Sequence, residues 1–243
     1  MQFTTILWQE YVLFKGKFWS ITTGSMIAPV LYLIVFGWGL GSGIRVGGGS
    51  YINFVIPGII ALTTMTLSFS TVANDINIAR TYTKTFEEFM VAPVSMLVYA
   101  AGKITAGALR GLYSALIIVL LAIVFQAGLR LDLYFIMIII LNCFVFSALG
   151  LTAGLIIDSH GDMAKFSNFV ITPMSFLCGT FFPLDKMPVG LKEIIWVLPL
   201  TQTSLALRSQ GESVFQTLLH PAILIIYLVI FVITGVRLCK KAE

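Results

Sequence analysis

Six stretches of this chain, residues 19–41, 51–73, 106–125, 133–157, 166–182 and 218–236, are almost wholly apolar. At a helical rise of about 1.5 Å per residue, roughly 20 such residues cross a hydrocarbon core about 30 Å thick. No other feature constrains the fold as strongly. Of the 243 residues, 58% are hydrophobic and 11% charged, where a soluble domain carries about 25% charged residues. A globule of this size cannot bury that much apolar surface, and lipid must be the solvent for most of the chain. The expected fold class is an all-α membrane protein with six transmembrane helices, in one transmembrane domain spanning residues 1–243.

The net charge of +4 does not indicate a nucleic-acid partner, because Lys and Arg lie scattered at the ends of apolar runs and form no basic stripe. Their placement instead orients the chain. Lys15, Lys17, Arg80, Lys84, Lys103, Arg110, Lys165, Arg237, Lys240 and Lys241 fall on the side of the N-terminus; Arg45, Arg130, Lys186, Lys192 and Arg208 fall on the other. The excess predicts that both termini are cytoplasmic. Residues 1–18 place Phe3, Leu7, Tyr11, Phe14 and Phe18 at helical spacing, with Gln9, Glu10, Lys15 and Lys17 between them. An interfacial helix is expected there, aromatic face in the acyl chains and charges in water. The first apolar run starts late and is long enough to remain a span, so no cleaved signal peptide is expected. Cys143, Cys178 and Cys239 form no CxxC pair, which supports neither a metal site nor a disulfide framework.

Several motifs narrow the chemistry. GWGLGSG (37–43) ends an apolar run and lacks the strand and helix of a dinucleotide site, and no GxxxxGK[ST] occurs, so this chain has no P-loop for ATP. DSHGD (158–162) clusters acids with a histidine, but a solvated loop leading into the next helix explains it. GALRG (107–111) and GLTAG (150–154) place glycines one turn apart, where a second helix can approach closely. Arg110, one turn inside the third span, needs an interface, a cavity or a partner that sequence does not name. In RTYTKTFEEFMVAP (80–93), Thr85 and Glu88 read as a capping box. It starts a helix over 85–93 that Pro93 ends, with Glu87 and Glu88 favouring its first turn. A helix this short does not persist in water, so Phe86, Phe89, Met90 and Val91 must dock on the membrane surface or on a partner.

Four segments, in order along the chain, resemble the membrane permease of type-2 ABC exporters, the group moving drugs, lipo-oligosaccharides and polysaccharides. FVIPGIIALTTM (54–65) is similar to the start of that family's second span and FEEFMVAPVS (86–95) to its inner loop. GKITAGALRGL (102–112) is similar to the start of its third span, and FVITPMSFLCGTFFPLDKMP (169–188) with LPLTQ (198–202) to its fifth-span region. The resemblance implies a half-transporter working as a permease homodimer with two copies of an ABC ATPase subunit in the bacterial inner membrane. It places Phe86, Glu87, Glu88, Phe89, Met90 and Pro93 on a coupling helix docked in the ATPase. ATP and Mg would be bound by that partner, with no cofactor, metal or catalytic residue in this chain. The glycine-rich loop at 42–50 and the side chains of VGLKEIIWVLPLTQ (189–202) depart from the family pattern.

The expected function is ATP-driven export of an amphipathic or lipid-linked substrate. The alternative, a secondary transporter or channel acting without an ATPase, would need intramembrane ionisable groups, for which Arg110 is the one clear candidate. A membrane enzyme is disfavoured, since His160 and His220 belong to no catalytic set. Thr66, Phe69, Asn142, Phe144 and Phe176 are candidates for lining a pathway. Between spans five and six, residues 184–210 turn apolar too briefly to cross once Pro199 intervenes. They predict a re-entrant helical hairpin in the outer leaflet, because backbone at that depth must be paired or covered. Phe176, Phe182, Trp196 and Leu200 are the candidate gate residues, and Lys186 and Arg208 are expected to label from outside.

Overall fold

A computed structural model of the chain describes residues 2–39, 45–46, 49–92, 94–124, 129, 131–209 and 214–242. Helix α1 (Gln2–Gly16) leads into α2 (Phe18–Tyr32), which continues as a π-helical turn, Leu33–Gly39. Two-residue strands, β1 (Arg45–Val46) and β2 (Gly49–Ser50), pair antiparallel. Then follow α3 (Tyr51–Thr81), α4 (Thr85–Val91), α5 (Met96–Val124), α6 (Leu133–Ile156), α7 (His160–Phe166), α8 (Thr172–Leu177), α9 (Val189–Val197), α10 (Pro199–Ala206) and α11 (Val214–Ala242). Pro93, the end of the third apolar run at residue 125 and the loop around Arg130 lie outside the described residues.

Five helical segments among the described residues are long and apolar enough to cross a membrane: Phe18–Phe36, Tyr51–Thr81, Met96–Val124, Leu133–Ile156 and Thr217–Lys241. The run at 166–182 is not one uniform helix. Helix α7 passes into a π-helical turn at Ser167–Ile171 and then into α8. The Thr172 amide bonds to the Ser167 carbonyl, a five-residue step next to Pro173, which has no amide hydrogen to continue the regular ladder. Helices α3 and α5 extend past the apolar runs that define them. The 51–73 run continues to Thr81 and the 106–125 run begins at Met96, so Asp75 and Lys103 are helical rather than in a loop.

Helices α3 and α6 form the centre. In each, 67% of the apolar window is buried, against 11% for α2 and 17% for α11. Lipid gives helices no hydrophobic drive to associate, so close packing must hold them. The glycines supply it. A Cβ on Gly107 would collide with Val72 Cγ2, and one on Gly150 would lie 2.6 Å from the Phe69 carbonyl. Gly111 faces the Ser68 hydroxyl, and a Cβ on Gly154 would stand 2.9 Å from Ile76 Cβ. Both small-residue motifs thus close onto α3 from two sides.

Caps and prolines set the ends. Asp132 accepts a hydrogen bond from the Phe135 amide at 2.8 Å at the start of α6, and Ser159 one from the Asp162 amide at 3.0 Å at the start of α7. Between α9 and α10, Leu198 is extended (φ −65°, ψ 139°), the conformation favoured before a proline, and Pro199 opens α10.

Candidate functional site

The inner-loop elbow is built first by Arg80, near the end of α3. Its Nη1 donates to the carbonyls of Gly154 (3.1 Å) and Leu155 (2.5 Å), and its Nη2 to Asp158 (3.1 Å). A cation on the last carbonyls of α6 satisfies groups that the helix cannot. Asn77 adds a bond to the Ile157 carbonyl at 2.8 Å. The DSHGD loop is therefore structural. Asp158 pairs with Arg80, while hydrogen bonds from Lys165 (2.8 Å) and Ser159 (2.7 Å) hold Asp162 below the usual carboxylate range. No metal-binding cluster occurs among the described residues.

Helix α4 follows, but not through a capping box. Lys84 is the cap residue, left-handed at φ 57°, and no side chain caps the helix. Thr85 is already helical, and its hydroxyl is engaged with that of Thr83 at 3.0 Å. The reversal at Lys84 turns α4 back against its own chain. Phe86 is 3% exposed; its ring and that of Phe89 lie 5.8 and 5.0 Å from the ring of Tyr99 on α5. So the apolar side of α4 docks first on α5. The opposite edge carries Glu87 and Glu88, both exposed, and Val91, 89% exposed. Met90 is half-buried beside a polar hollow lined by Arg80, Lys84, Glu87 and Asp158. Tyr82, 78% exposed, stands nearby in sequence. Phe86 is thus an internal anchor, and the outward edge is Glu87, Glu88 and Val91.

Arg110 is not alone. Its Nη2 donates to Glu10 Oε2 at 3.2 Å, while Lys103 Nζ donates to Glu10 Oε1 at 2.6 Å and to Asp75 Oδ2 at 2.5 Å. The Glu10 and Lys103 side chains are each 7% exposed. The expectation that Glu10 lies in water is wrong. Helix α1 turns Ile6 and Glu10 inward, Ile6 packing on Gly102, and leaves Trp8 (65% exposed) and Tyr11 (52%) outside. Burying an ion pair is costly unless each charge is fully engaged, and here both Glu10 oxygens are.

Helices α9 and α10 are tied to α6 and α11, and through α6 to α3. Thr203 donates to Asn142 Oδ1 at 2.7 Å, and Asn142 donates to Thr64 Oγ1 at 2.9 Å and to the Ala61 carbonyl at 3.2 Å. His220 Nδ1 meets Gln202 Oε1 at 2.7 Å, and Tyr227 donates to the Val197 carbonyl at 2.8 Å. Arg208 is no surface charge. It donates to the carbonyls of Phe54 (3.0 and 3.1 Å), Gly179 (2.6 Å) and Thr180 (3.0 Å) and to Ser204 Oγ (2.6 Å). It also stacks 4.0 Å from the Phe54 ring. This explains Gly58, where a Cβ would collide with the Thr180 carbonyl and stand 2.7 Å from Arg208 Nη2. Removing Arg208 would leave these carbonyls unpaired, so position 208 is a poor site for a cysteine that reports outside access.

Of the candidate pathway residues, Thr66 and Phe176 border one groove of about 480 Å³ between α2, α3, α5 and α8, with Ser20, Ser25, Thr63 and Ser114 among its walls. Phe69 and Asn142 are buried in the packing and Phe144 is half-buried. Leu200 is 0% exposed, inside the main apolar core, whereas Trp196 is 38% and Phe182 57% exposed.

Comparison with known proteins supplies the family. The ABC-2 type transporter family matches residues 1–210. The inner membrane transport permease YadH of Escherichia coli (strain K12) is 31% identical over 180 residues, covering 71% of this chain and 69% of that protein. Nodulation protein J of Rhizobium leguminosarum bv. viciae is 27% identical over 243 residues, covering 96% of this chain and 92% of that protein. The same-named protein of Rhizobium meliloti (strain 1021) is 27% identical over 230 residues, 91% and 86% of the two chains. No solved structure gives a significant match. With the family match covering most of its length and its apolar helices, the chain belongs to the ABC-2 type transporter family of membrane transport permeases.

Proposed function

We propose that this chain is the permease subunit of an ATP-driven exporter in a bacterial inner membrane, moving an amphipathic or lipid-linked substrate. Hydrolysis occurs in two copies of a separate ABC ATPase, and two copies of this chain form the pathway. The termini are cytoplasmic, α1 lies in the interface, residues 166–182 with α8 make the fifth of six crossings, and α9–α10 re-enter the outer leaflet. The observation that carries the reading is α4: a two-turn helix anchored on Tyr99 through Phe86 and Phe89, with Glu87, Glu88 and Val91 left for another surface. Membership of this family and similarity to an inner membrane transport permease of E. coli support it.

The contacts suggest how force would travel. A push on α4 passes through Tyr99 into α5, which also holds α1 through Lys103 and Arg110. Lys103 also holds Asp75 of α3, and Gly107 and Gly111 close α5 onto that helix, so α1, α3 and α5 move together, and the rocking that alternates access falls between the two permease copies. The ion cluster is the single feature favouring a secondary transporter. Each of its members, however, is paired with an opposite charge at 2.5–3.2 Å, as befits ion pairs that hold helices together.

The test is co-purification with a co-expressed ABC ATPase. Glu88→Arg and Val91→Asp, at exposed positions that leave the anchor intact, should lower complex yield and permease-stimulated ATP hydrolysis. Wild-type levels of both in each variant would refute the assignment.

A further inference from the structure

Between α1 and α5 runs a groove of about 230 Å³ that nothing above uses, lined by Leu7, Tyr11, Phe14, Ala106, Leu109 and Tyr113, with Glu10 and Arg110 as its polar lining. Aromatic rings close it off: Phe14 lies edge-on to Tyr113 at 5.3 Å, and the Tyr113 hydroxyl meets Thr22 Oγ1 at 2.8 Å. The groove therefore has an apolar body, a closed aromatic side and a charged side, the shape of a site for an amphiphile.

The hydrogen-bond inventory decides the sign of the head group. A carboxylate at Glu10 would favour a cation, but both its oxygens are taken, one by Lys103 and one by Arg110. Lys103 is held by Glu10 and Asp75 and is 7% exposed. Arg110 is different. Its side chain is 20% exposed and, among the described residues, gives one hydrogen bond, at 3.2 Å, to Glu10. A guanidinium carries five N–H donors in a planar fork that suits a phosphate, so most of its capacity faces the groove unspent.

We infer that this groove holds an anionic phospholipid of the surrounding bilayer, its phosphate on Arg110 and one acyl chain along Leu7, Phe14 and Leu109. The lipid would serve as a resident wedge between α1 and α5 rather than as cargo, which leaves the proposal independent of the substrate exported.

The experiment is native mass spectrometry of the full chain released from micelles, titrated with phosphatidylglycerol or with phosphatidylcholine of the same acyl chains. Wild type should retain one phosphatidylglycerol at concentrations where phosphatidylcholine is lost. Arg110→Gln should weaken that retention about tenfold, as expected for loss of a charge-assisted contact, and Arg110→Lys should restore part of it. Leu109→Trp crowds the groove from its exposed side without touching the ion cluster, and it should also lower retention if the acyl chain lies there. Lys165→Gln, at an exposed position on α7, should change nothing. Equal retention of the two lipids by wild type would overturn the proposal. So would unchanged phosphatidylglycerol retention in both Arg110→Gln and Leu109→Trp.

Discussion

Replacing Lys103 by Met tests whether the N-terminal helix is held by charge. Lys103 and Glu10 are each 7% exposed and 2.6 Å apart. Breaking a buried pair by removing one partner costs about 3–5 kcal/mol, because the other charge stays buried. Two details here argue for the lower bound. Glu10 keeps Arg110 at 3.2 Å, and Asp75, 38% exposed, can turn to water. The expected cost is therefore about 3 kcal/mol, and it falls on the attachment of α1, since Glu10 is the acid that α1 contributes to the cluster. At about 1.4 kcal/mol per factor of ten, amide exchange in residues 2–16 should accelerate by about 100-fold if local opening governs it. Hydrogen-exchange mass spectrometry reads this directly, with the buried helix α6 as internal reference. Glu10→Gln added to Lys103→Met should cost less than the sum of the two, by about 1–3 kcal/mol, because the partners are coupled. Exchange of the 2–16 peptide within about twofold of wild type, the scale of ordinary non-additivity error, would refute the reasoning.

Gly58→Ala should destabilise by about 1–3 kcal/mol through overpacking, because the new methyl meets the Thr180 carbonyl and Arg208; Gly24→Ala, with nothing within 4 Å, should not, and thermal midpoints in detergent compare the two. Asn142→Leu removes the link between Thr203 on α10 and Thr64 on α3; an interhelical hydrogen bond in a membrane is worth about 0.6–2 kcal/mol, and faster proteolysis of the 189–206 segment should accompany the loss. For topology, Val189→Cys should react with an impermeant maleimide in intact cells and Val91→Cys only after permeabilisation, both sites being exposed (75% and 89%); the reverse pattern would invert the proposed orientation.

Long uninterrupted apolar runs made α2, α3, α5, α6 and α11 legible, since length and hydropathy are local quantities. The region 158–207 was harder. Its helices are short, and their form depends on a π-helical turn near Pro173 and on an extended Leu198, which composition does not reveal. The glycine pairs were legible as contacts but their partner was not: α3 receives both. The error at Glu10 has a physical cause. An acid between aromatic residues reads as a solvated face unless its counter-charge is known, and Lys103 is 93 residues away. One local signal existed, since Lys103 and Arg110 are two helical turns apart and share a face of α5, a pair of cations that asks for an acid. Arg208 misled for the opposite reason. It follows α10 in a stretch that looks exposed, yet its partners are backbone carbonyls, which leave no trace in side-chain identity. The Thr85–Glu88 spacing predicts a short helix capped at Thr85, whereas the left-handed Lys84 makes the turn into α4.

The most direct test of the account is a photo-crosslinking side chain placed at Val91, the most exposed apolar position on α4, in the complex co-expressed with an ABC ATPase. The account predicts a crosslink to the ATPase whose yield changes with bound nucleotide, and none from Leu131, exposed at the opposite end of the helices. A complex that forms and hydrolyses ATP while Val91 captures only lipid or other parts of this chain would contradict it.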